Sequence, residues 1–327
     1  MGMLYKDAGV DIDVLNTIRK RIGKHISKTF TAGSRQTFGL FGGVFDLGDD
    51  YIISSVDSVG TKILVACGTG KHTTVGQDIV NHCVNDILTT GALPLFFMDY
   101  IGFSDLEKKV LLQVVKGLAS ACRKENIALI GGETAMLTRF YPKGIYDLVG
   151  FIVGKVSKKD FIETARIMPG DVILGLKSSG LHTNGYSLAR KVLLRKYTFA
   201  SFIPELKCTI GEELLKIHLS YRRFIEPRLK YVKGMAHITG GGFYDNVKRI
   251  LPARCSAIIR KKAWRPLPVF TLIQNLGKVP EEEMYRVFNM GIGMVVVVDR
   301  KDIKQFKSVK TVTIGEIVEG NSGVTIE

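Results

Sequence analysis

The stretch YIISSVDSVGTK, residues 51–62, joins a strand pattern to a polar glycine loop and is the starting point for the fold prediction. Residues 51–56 are predicted as a strand, and the strand ends at Asp57. An aspartate at that point can bind Mg²⁺, which prefers oxygen ligands, and Lys62 can balance phosphate charge. The G-x-x-x-x-G-K-[ST] spacing of a Walker loop is absent, so the segment is either a different phosphate-binding loop or a polar turn.

Helix and strand patterns alternate on both sides of this stretch. Asp13 is a predicted helix N-cap, and apolar residues recur at helical spacing after it. Further helices are predicted near residues 79–88, 105–124 and 212–231, and one more starts at about residue 186; further strands are predicted near 95–100, 127–130, 146–156, 172–176, 257–260, 293–298 and 311–315. Pro169-Gly170 marks a boundary turn after which the order starts afresh. The pattern predicts an α/β protein with mixed sheets and two domains, residues 1–165 and 166–327.

The composition fits a globular protein large enough for two cores. Of 327 residues, 46% are hydrophobic and 24% are charged, and no apolar run reaches the roughly 18 residues that a membrane helix needs. The N-terminal residues lack a signal-peptide pattern, so we expect a cytoplasmic protein with no membrane partner. The five cysteines are odd in number and widely spaced, which disfavours a disulfide framework and a zinc ribbon.

The net charge of +15 has more than one interpretation. Nucleic-acid binding would need a concentrated basic surface or an aromatic-basic signature, whereas the lysines and arginines here are spread along the chain. We therefore predict no nucleic-acid partner. A positive field that attracts polyanionic metabolites fits this distribution better, and a simple lysine-rich composition is the alternative.

Two further groups in the first half are candidate parts of a Mg²⁺–nucleotide site. The segment FGLFGGVF, residues 38–45, is rich in glycine, which lets backbone N–H groups approach phosphates; a flexible turn is the alternative. Asn85 and Asp86 lie on a predicted helix, and Asp86 falls close to its apolar face, where an unpaired charge is costly. Glu133 follows a short predicted strand. Carboxylates converging from separate elements would bind Mg²⁺; a surface aspartate and a capping glutamate are the alternatives.

Two loops in the second half each combine glycine, hydroxyl residues and one histidine. They are SSGLHTNG, residues 178–185, and HITGGGF, residues 237–243. Each is predicted to lead into a helix, whose free N–H groups suit a phosphate. His182 and His237 are candidate proton shuttles, although a structural role is the ordinary one for a lone histidine. The other histidines are predicted at the surface or within helices: His25 and His72, and His82 and His218, respectively.

Taken in order, these motifs resemble those of the phosphoribosylformylglycinamidine cyclo-ligase family of purine biosynthesis. The matching stretches span nearly the whole chain: residues 5–13, 57–62, 84–86, 94–100, 131–135, 146–151, 178–188, 237–243 and 284–294. The resemblance implies conversion of formylglycinamidine ribonucleotide and ATP, with Mg²⁺, to aminoimidazole ribonucleotide, ADP and phosphate. It also implies two α/β domains, with the N-terminal sheets of two chains pairing into a barrel across a homodimer.

The resemblance further implies a role for each candidate residue. Catalysis or substrate orientation would involve His182, His237, Asn184 and Lys28. Binding of the ATP phosphates would involve Gly39, Gly42, Gly43, Thr61, Lys62, Thr239, Gly240, Gly241 and Gly242. The Mg²⁺ ligands would be Asp57 and Asp86, with Asn85 and Glu133 as further candidates.

Three segments depart from the family pattern. The first glycine segment reads GLFGG rather than G-G-F-G, residues 136–139 replace a Glu-Met-Pro continuation, and residues 214–219 replace a Leu-Leu-x-Pro-Thr stretch. A kinase-like member of the same superfamily, such as a thiamine-monophosphate kinase or selenophosphate synthase relative, is the alternative function. A non-catalytic basic binding protein is the third. The start at residues 5–13 and the two histidine loops favour the cyclo-ligase.

Overall fold

The structure is a computed structural model that describes residues 2–35, 40–307 and 311–327. Gly39, a predicted phosphate-binding residue, lies outside them. Helices and strands alternate through the described chain and form two mixed sheets, which confirms the predicted mixed α/β architecture. In these ranges no helix has the length and apolar character needed to cross a membrane.

The first sheet has five strands within the described residues: β1 Gly43–Leu47, β2 Asp50–Ser58, β3 Leu93–Phe103, β4 Ala128–Met136 and β5 Tyr146–Ser157. Their order is β1-β2-β5-β3-β4, and every neighbouring pair is antiparallel except β3 with β4. The helices of this part of the chain are α1 Ile12–Ile26, α2 Ile63–Thr69, α3 Thr73–Leu88 and α4 Lys108–Glu125. Helix α3 packs on β2 and β5, and α4 packs on α3.

Glycines on β5 allow α3 to lie close to the sheet. A Cβ atom at Gly150 would lie 2.4 Å from the Phe97 ring and 2.7 Å from Ile79 on α3. At Gly154 it would lie 2.5 Å from Ile87. Ile79 and Ile87 are fully buried, which confirms the apolar helix face predicted from the sequence. This packing places the polar side chains of α3 next to the end of β2.

The two faces of the first sheet have different surroundings. Residues at facing register positions point to the same side of a sheet, and successive residues alternate between sides. Asp57 and Asp99 therefore share the inner face, which α3 covers. Val56, Phe151 and Met98 share the outer face and are 62%, 37% and 36% exposed. These three neighbouring positions of the outer face are thus apolar and open within one chain.

The second sheet has six strands within the described residues: β6 Val172–Lys177, β9 Val232–His237, β10 Cys255–Ile259, β11 Ile292–Val298, β12 Thr311–Glu319 and β13 Val324–Ile326. Their order is β13-β10-β12-β6-β11-β9. A short hairpin, β7 Phe202–Ile203 and β8 Cys208–Thr209, lies outside this sheet. The helices are α5 Tyr186–Leu193, α6 Ile210–Leu214, α7 Arg222–Ile225, α8 Gly242–Lys248, α9 Pro268–Gly277 and α10 Glu281–Val287.

The first residues of the chain pack on the second half. The Met3 N–H donates to the Gly277 carbonyl at 3.1 Å, and the Tyr5 N–H donates to Glu283 at 2.7 Å. Helix α1 continues this contact, because its Asn16 amide lies 3.2 Å from a carboxylate of α8. The N-terminal segment, which belongs to the predicted unit of residues 1–165, thus contacts the second half of the chain.

Two local predictions in the first half were wrong. Asp11, rather than Asp13, caps α1 by accepting the N–H groups of residues 13 and 14 at 3.0 Å. Residues 131–134 continue strand β4 instead of forming a loop after it. Gly132 is required there because a Cβ atom would lie 2.5 Å from the Asp99 carbonyl of β3.

The helix predicted over residues 212–231 is interrupted between α6 and α7. Residues 215–221 are held instead by side chains of α3. Asn85 accepts the Tyr221 N–H at 2.9 Å and donates to the Leu219 carbonyl at 2.8 Å. Asp78 accepts the His218 N–H at 2.7 Å. Bonds to α3 thus replace helical bonds and bring His218 into the interior.

Candidate active site

Four histidines meet in the interior where the two halves of the chain join. His82 comes from α3, His182 from the loop after β6, His218 from residues 215–221, and His237 from the end of β9. Each is at most 3% exposed. His182 and His237 were predicted as site residues from the sequence, whereas His82 and His218 were not.

A chain of carboxylates and imidazoles connects β2 to β9. Asp57 Oδ2 lies 2.9 Å from His82 Nε2, which lies 3.6 Å from Asp86 Oδ2. His237 Nδ1 lies 2.8 Å from Asp86 Oδ1, and His237 Nε2 lies 3.0 Å from His218 Nε2. The Asp57 side chain is 43% exposed, whereas the other four side chains are buried. Asp57 is therefore the end of this chain that solvent or a ligand can reach.

The loop after β6 completes the cluster. Thr183 Oγ1 lies 2.8 Å from His82 Nδ1 and 3.3 Å from His218 Nδ1. The His182 ring stacks on His218 with centroids 4.0 Å apart. The Ser179 N–H donates to His182 Nε2 at 3.3 Å. The predicted loop thus supplies one ring and one hydroxyl to a continuous polar network.

Spacing along α3 explains how its polar side chains reach this network. Asp78, His82 and Asp86 are four residues apart, so they lie along one face of the helix. All three are buried, and the buried polar residues Asn81 and Asn85 lie beside them on the same side of the helix. This spacing of acidic and histidine side chains is the sequence feature that would have identified His82.

Lys62 forms a buried ion pair, and the predicted phosphate contact does not fit this arrangement. Its ammonium lies 2.8 Å from Asp78 Oδ2, and both side chains are 0% exposed. It also donates to the carbonyls of His182 at 3.0 Å and Lys216 at 2.8 Å. Burial lowers the pKa of Lys62 and raises that of Asp78, and the opposite charge of each partner counteracts both shifts. Lys62 therefore anchors the Asp57 loop to loops of the second half.

The four histidines differ in charge. Burial alone would lower the pKa of His82, but the carboxylates of Asp57 and Asp86 raise it to about 9. Burial lowers the pKa of His182 and His218 well below the usual range, and neighbouring histidines lower it further. Burial also lowers the pKa of His237 although Asp86 opposes it. At neutral pH, His82 is thus the cationic ring of the cluster.

The pKa of Asp57 reflects the same pairing. Burial alone would raise this pKa, but the charge of His82 and a hydrogen bond from the Ser58 N–H lower it below its ordinary value. Asp57 therefore stays ionised at neutral pH and presents a carboxylate to solvent.

Two of the four predicted Mg²⁺ ligands do not join Asp57 and Asp86. The Asn85 amide binds the backbone of residues 219–221 through both its oxygen and its nitrogen. Glu133 pairs with Tyr100 of β3, and Tyr100 is one residue after Asp99, which shares the inner face with Asp57. Because successive residues alternate between faces, Glu133 points to the outer face of the sheet.

Of the three glycines at residues 240–242, the last two are buried and the first is exposed. A Cβ atom at Gly242 would lie 2.0 Å from the Tyr285 carbonyl, so packing against α10 requires glycine there. Gly241 is also buried and has φ 93°. Gly240 is exposed, and its Cβ position lies 3.3 Å from Asn184 Oδ1. Gly240 and Asn184 thus form an open edge beside the cluster, next to Thr239.

The remaining predicted residues lie outside the histidine network. Gly42 leads into β1, where Gly43 pairs with Ser54. Lys28 is exposed in the turn Ser27–Thr29 at the end of α1. Within the described residues no hydrogen bond or ion pair joins any of these to the four histidines. Thr61 is exposed, and its Oγ1 lies 3.1 Å from the hydroxyl of Ser187 on α5.

A basic cavity lies beside this contact between Thr61 and Ser187. Its volume is about 500 Å³, and its lining residues are Ala8, Ser187, Arg190, Lys191, Leu194 and Arg195. None of these six is acidic. Arg190 Nε is buried and has no hydrogen-bond partner in the part of the chain that the structure describes. Three cations and a hydroxyl favour an anionic ligand here.

Comparisons with known protein families match two consecutive segments of the chain. The family "AIR synthase related protein, N-terminal domain" matches residues 42–156, and "AIR synthase related protein, C-terminal domain" matches residues 168–327. The chain is 48% identical to phosphoribosylformylglycinamidine cyclo-ligase of Thermoanaerobacter sp. (strain X514), over 99% of this chain and 100% of that one. It is 44% identical to the enzyme of the same name from Thermodesulfovibrio yellowstonii, over 98% of each chain.

Solved structures with a similar fold are more distant in sequence. Thiamine monophosphate kinase from Aquifex aeolicus has a TM-score of 0.66 at 16% identity and covers 97% of this chain and 98% of its own. HypE from E. coli has a TM-score of 0.62 at 19% identity, over 84% and 81%. At these identities the similarity shows the fold alone.

The fold and the two matched domains define an AIR synthase related protein. Within that class the sequence relatives favour the cyclo-ligase over the kinase-like alternative. The chain belongs to the phosphoribosylformylglycinamidine cyclo-ligase family, as its motifs predicted.

Proposed function

We propose that the chain closes formylglycinamidine ribonucleotide to 5-aminoimidazole ribonucleotide, with conversion of ATP to ADP and phosphate. The γ-phosphoryl group is transferred to the formyl oxygen, which becomes a good leaving group. The amidine nitrogen then attacks the formyl carbon and loses a proton, and the C–O bond breaks as phosphate departs. Family membership supports the reaction. The single observation that supports the site is the partly exposed carboxylate of Asp57 next to the buried histidine cluster.

Asp57 is the proposed contact to Mg²⁺–ATP. Its carboxylate is ionised and exposed, and oxygen donors suit Mg²⁺. Asp86 is buried behind it and binds His82 and His237. Its role in this proposal is therefore to orient the cluster, while Asp57 faces the metal–nucleotide complex.

The ribonucleotide is proposed to bind on the side of the second half. Its phosphate fits the basic cavity at Arg190, which the contact between Ser187 and Thr61 joins to the Asp57 loop. His182 and Asn184 lie on the loop before α5, and Asn184 faces the open Gly240. In this assignment the first half, up to about residue 165, binds ATP, and residues 166–327 hold most of the substrate contacts.

The outer face of the first sheet is proposed to pair with a second copy of the chain. Val56, Phe151 and Met98 form one exposed apolar row across three adjacent strands. Exposed apolar surfaces of this kind mark interaction sites. Pairing of two such sheets would bury the row in the homodimeric barrel that the family resemblance implies.

A direct assay tests the reaction. Purified chain, formylglycinamidine ribonucleotide, ATP and Mg²⁺ should give aminoimidazole ribonucleotide, measured colorimetrically, together with ADP. Absence of this product, with ATP turnover on thiamine monophosphate instead, would replace the cyclo-ligase with the kinase-like function.

A matched pair of variants tests the site. Asp57→Asn should reduce turnover by about 1,000-fold or more because it removes the charge that faces the metal–nucleotide complex. The control Asp50→Asn lies at the other end of β2, where Asp50 pairs with Lys155 at the surface, and should retain wild-type turnover. Near-normal activity of Asp57→Asn would remove Asp57 from the site.

A further inference from the structure

We propose that His82, Asp86 and His237, with Asp57 as a fourth donor, form a binding site for a divalent transition-metal ion such as Zn²⁺ or Co²⁺. The site differs from the oxygen-only contact proposed for Mg²⁺–ATP because two of its donors are imidazole nitrogens. The proposal does not depend on the cyclo-ligase reaction.

The donor atoms already lie close to metal-site geometry. The ligand atoms of His82, Asp86 and His237 all lie within 4.8 Å of one another. His82 Nε2 lies 3.6 Å from Asp86 Oδ2 and 2.9 Å from Asp57 Oδ2. A tetrahedral ion with bonds of about 2.0–2.1 Å separates its ligand atoms by about 3.3–3.4 Å. Small side-chain rotations would therefore bring the three core donors onto one ion, and Asp57, which lies next to His82, is placed to supply the fourth donor.

A second shell is also in place. Histidines that bind a metal usually have the other ring nitrogen hydrogen-bonded, which fixes the ring. His82 Nδ1 lies 2.8 Å from Thr183 Oγ1, and His237 Nε2 lies 3.0 Å from His218 Nε2. Ser55 Oγ donates to Asp86 Oδ2 at 3.2 Å. The two imidazole ligands are thus each held by a neighbour at the nitrogen away from the ion, and Asp86 is held by Ser55.

One nitrogen in the cluster points independently to a ligand. His82 is 3% exposed, and its Nε2 is aimed between two carboxylates. Despite the short distance to Asp57, Nε2 has no hydrogen-bond partner of acceptable geometry in the described part of the chain. A divalent cation bound by Nε2 and both carboxylates would displace the proton of Nε2 and satisfy all three groups at once.

The donor set selects the class of ion. Mg²⁺ prefers oxygen ligands in octahedral geometry and gains little from imidazole. Zn²⁺ and Co²⁺ bind imidazole and carboxylate ligands together, whereas Mg²⁺ is suited by carboxylate, carbonyl and water ligands. Asp57 is the exposed member of the set and marks the path by which an ion enters.

Cobalt titration of the full-length, tag-free chain tests the site. After chelator treatment, Co²⁺ is added without nucleotide, and its visible ligand-field absorption is followed. We expect one Co²⁺ per chain, displaced by Zn²⁺ but not by the same concentration of Mg²⁺. Because no nucleotide or substrate is present, failure of this experiment is separate from failure of the proposed reaction. Absence of the absorption, or its loss to Mg²⁺, would overturn the proposal.

Two matched histidine variants locate the ion. His82→Asn keeps a hydrogen-bonding group near the Nδ1 position but removes Nε2, and should weaken Co²⁺ binding by about 100-fold or more. His72→Asn is the control: His72 is also buried, with Nδ1 3.0 Å from Tyr146 OH, and it lies outside the cluster. Wild-type affinity in His82→Asn would contradict the assignment.

A variant of a second proposed ligand tests the site independently, in case His82→Asn does not fold. His237→Gln removes Nδ1, keeps a group near Nε2, and should show the same loss of Co²⁺ affinity. Circular dichroism of each variant establishes that the fold is retained. Equal Co²⁺ affinity in folded His237→Gln and wild type would also overturn the site.

Discussion

The inner and outer faces of the first sheet are built from alternate residues of the same strands but meet different partners. Asp57 points inward to the polar row of α3, whereas Val56, one residue earlier, points outward and is 62% exposed. The inner face contains charges that are paired or hydrogen-bonded, and the outer face contains apolar side chains that lack cover within one chain. A single strand thus contributes to a buried polar site and to an open apolar surface.

The two faces should depend on different interactions for their stability. Polar groups buried on the inner face are stabilised only while every partner is present, because an unpaired buried charge is costly. The outer face requires only apolar surface and a partner to cover it. Substitutions should therefore act on stability and chemistry at the inner face and on assembly at the outer face.

The largest effect is expected at the buried ion pair of the inner side. Lys62→Met leaves Asp78 buried without its cation and should lower the free energy of unfolding by about 3–5 kcal/mol in urea denaturation. The control Lys155→Met breaks a surface pair with Asp50 and should change it by about 1 kcal/mol or less. Equal effects of the two substitutions would contradict the distinction between buried and exposed pairs.

The outer face is expected to control assembly. Phe151→Lys places a charge in the centre of the exposed row and should weaken dimerisation by at least about 2 kcal/mol, measured by analytical ultracentrifugation. The circular dichroism spectrum should not change. The control Leu112→Lys alters a residue of α4 that is 60% exposed, and it should leave the dimer intact. A dimer that survives Phe151→Lys would place the interface elsewhere.

The pH dependence of stability should reveal the charge of His82. Its pKa of about 9 in the folded chain exceeds the value of about 6.5 expected after unfolding. The proton on His82 therefore stabilises the fold fully below about pH 6.5, and this contribution is lost as the pH rises through 9. His82→Asn lacks it, so the difference in unfolding free energy from wild type should shrink by up to about 3 kcal/mol over this range.

His72→Asn provides the control for that measurement. Burial lowers the pKa of His72, so the ring is neutral in the folded chain throughout the same range. The difference in unfolding free energy between His72→Asn and wild type should remain nearly constant over this pH range. A constant difference for His82→Asn as well would show that Asp57 and Asp86 do not hold a proton on His82.

The smallest expected effect concerns the substrate phosphate. Arg190→Ala should raise KM for the ribonucleotide by about 10- to 100-fold, as expected for loss of one charged hydrogen bond, with a much smaller change in KM for ATP. The control Lys196→Ala removes a nearby cation that does not line the cavity. An equal rise in both KM values would argue against a separate site for the ribonucleotide phosphate.

Local patterns predicted much of the fold because they depend on neighbouring residues. The apolar face of α3 and the strand that ends near Asp57 follow from spacing alone, and the structure has both. The strand through Gly131 and Gly132 was mistaken for a loop since paired glycines are typical of turns. Their place in β4 depends on close approach to β3, which is a tertiary contact.

The histidine cluster of the candidate site contains two predicted residues and two that were not predicted. His182 and His237 stand in distinctive loops, so their motifs were visible in the sequence. His218 lies in a segment that departs from the family pattern, and its position depends on the side chains of α3 that bind residues 215–221. Lys62 was assigned to phosphate because of its charge beside the Asp57 loop and its match to the family motif; its burial depends on Asp78, sixteen residues away.

Transfer of the formyl oxygen tests the central claim most directly. Formylglycinamidine ribonucleotide labelled with ¹⁸O at the formyl group is converted with ATP by the purified chain, and the released phosphate is analysed by mass spectrometry. Phosphorylation of that oxygen followed by C–O cleavage predicts that the label appears in inorganic phosphate, one atom for each aminoimidazole ribonucleotide formed. Product formation with unlabelled phosphate would contradict activation of the formyl oxygen at this site.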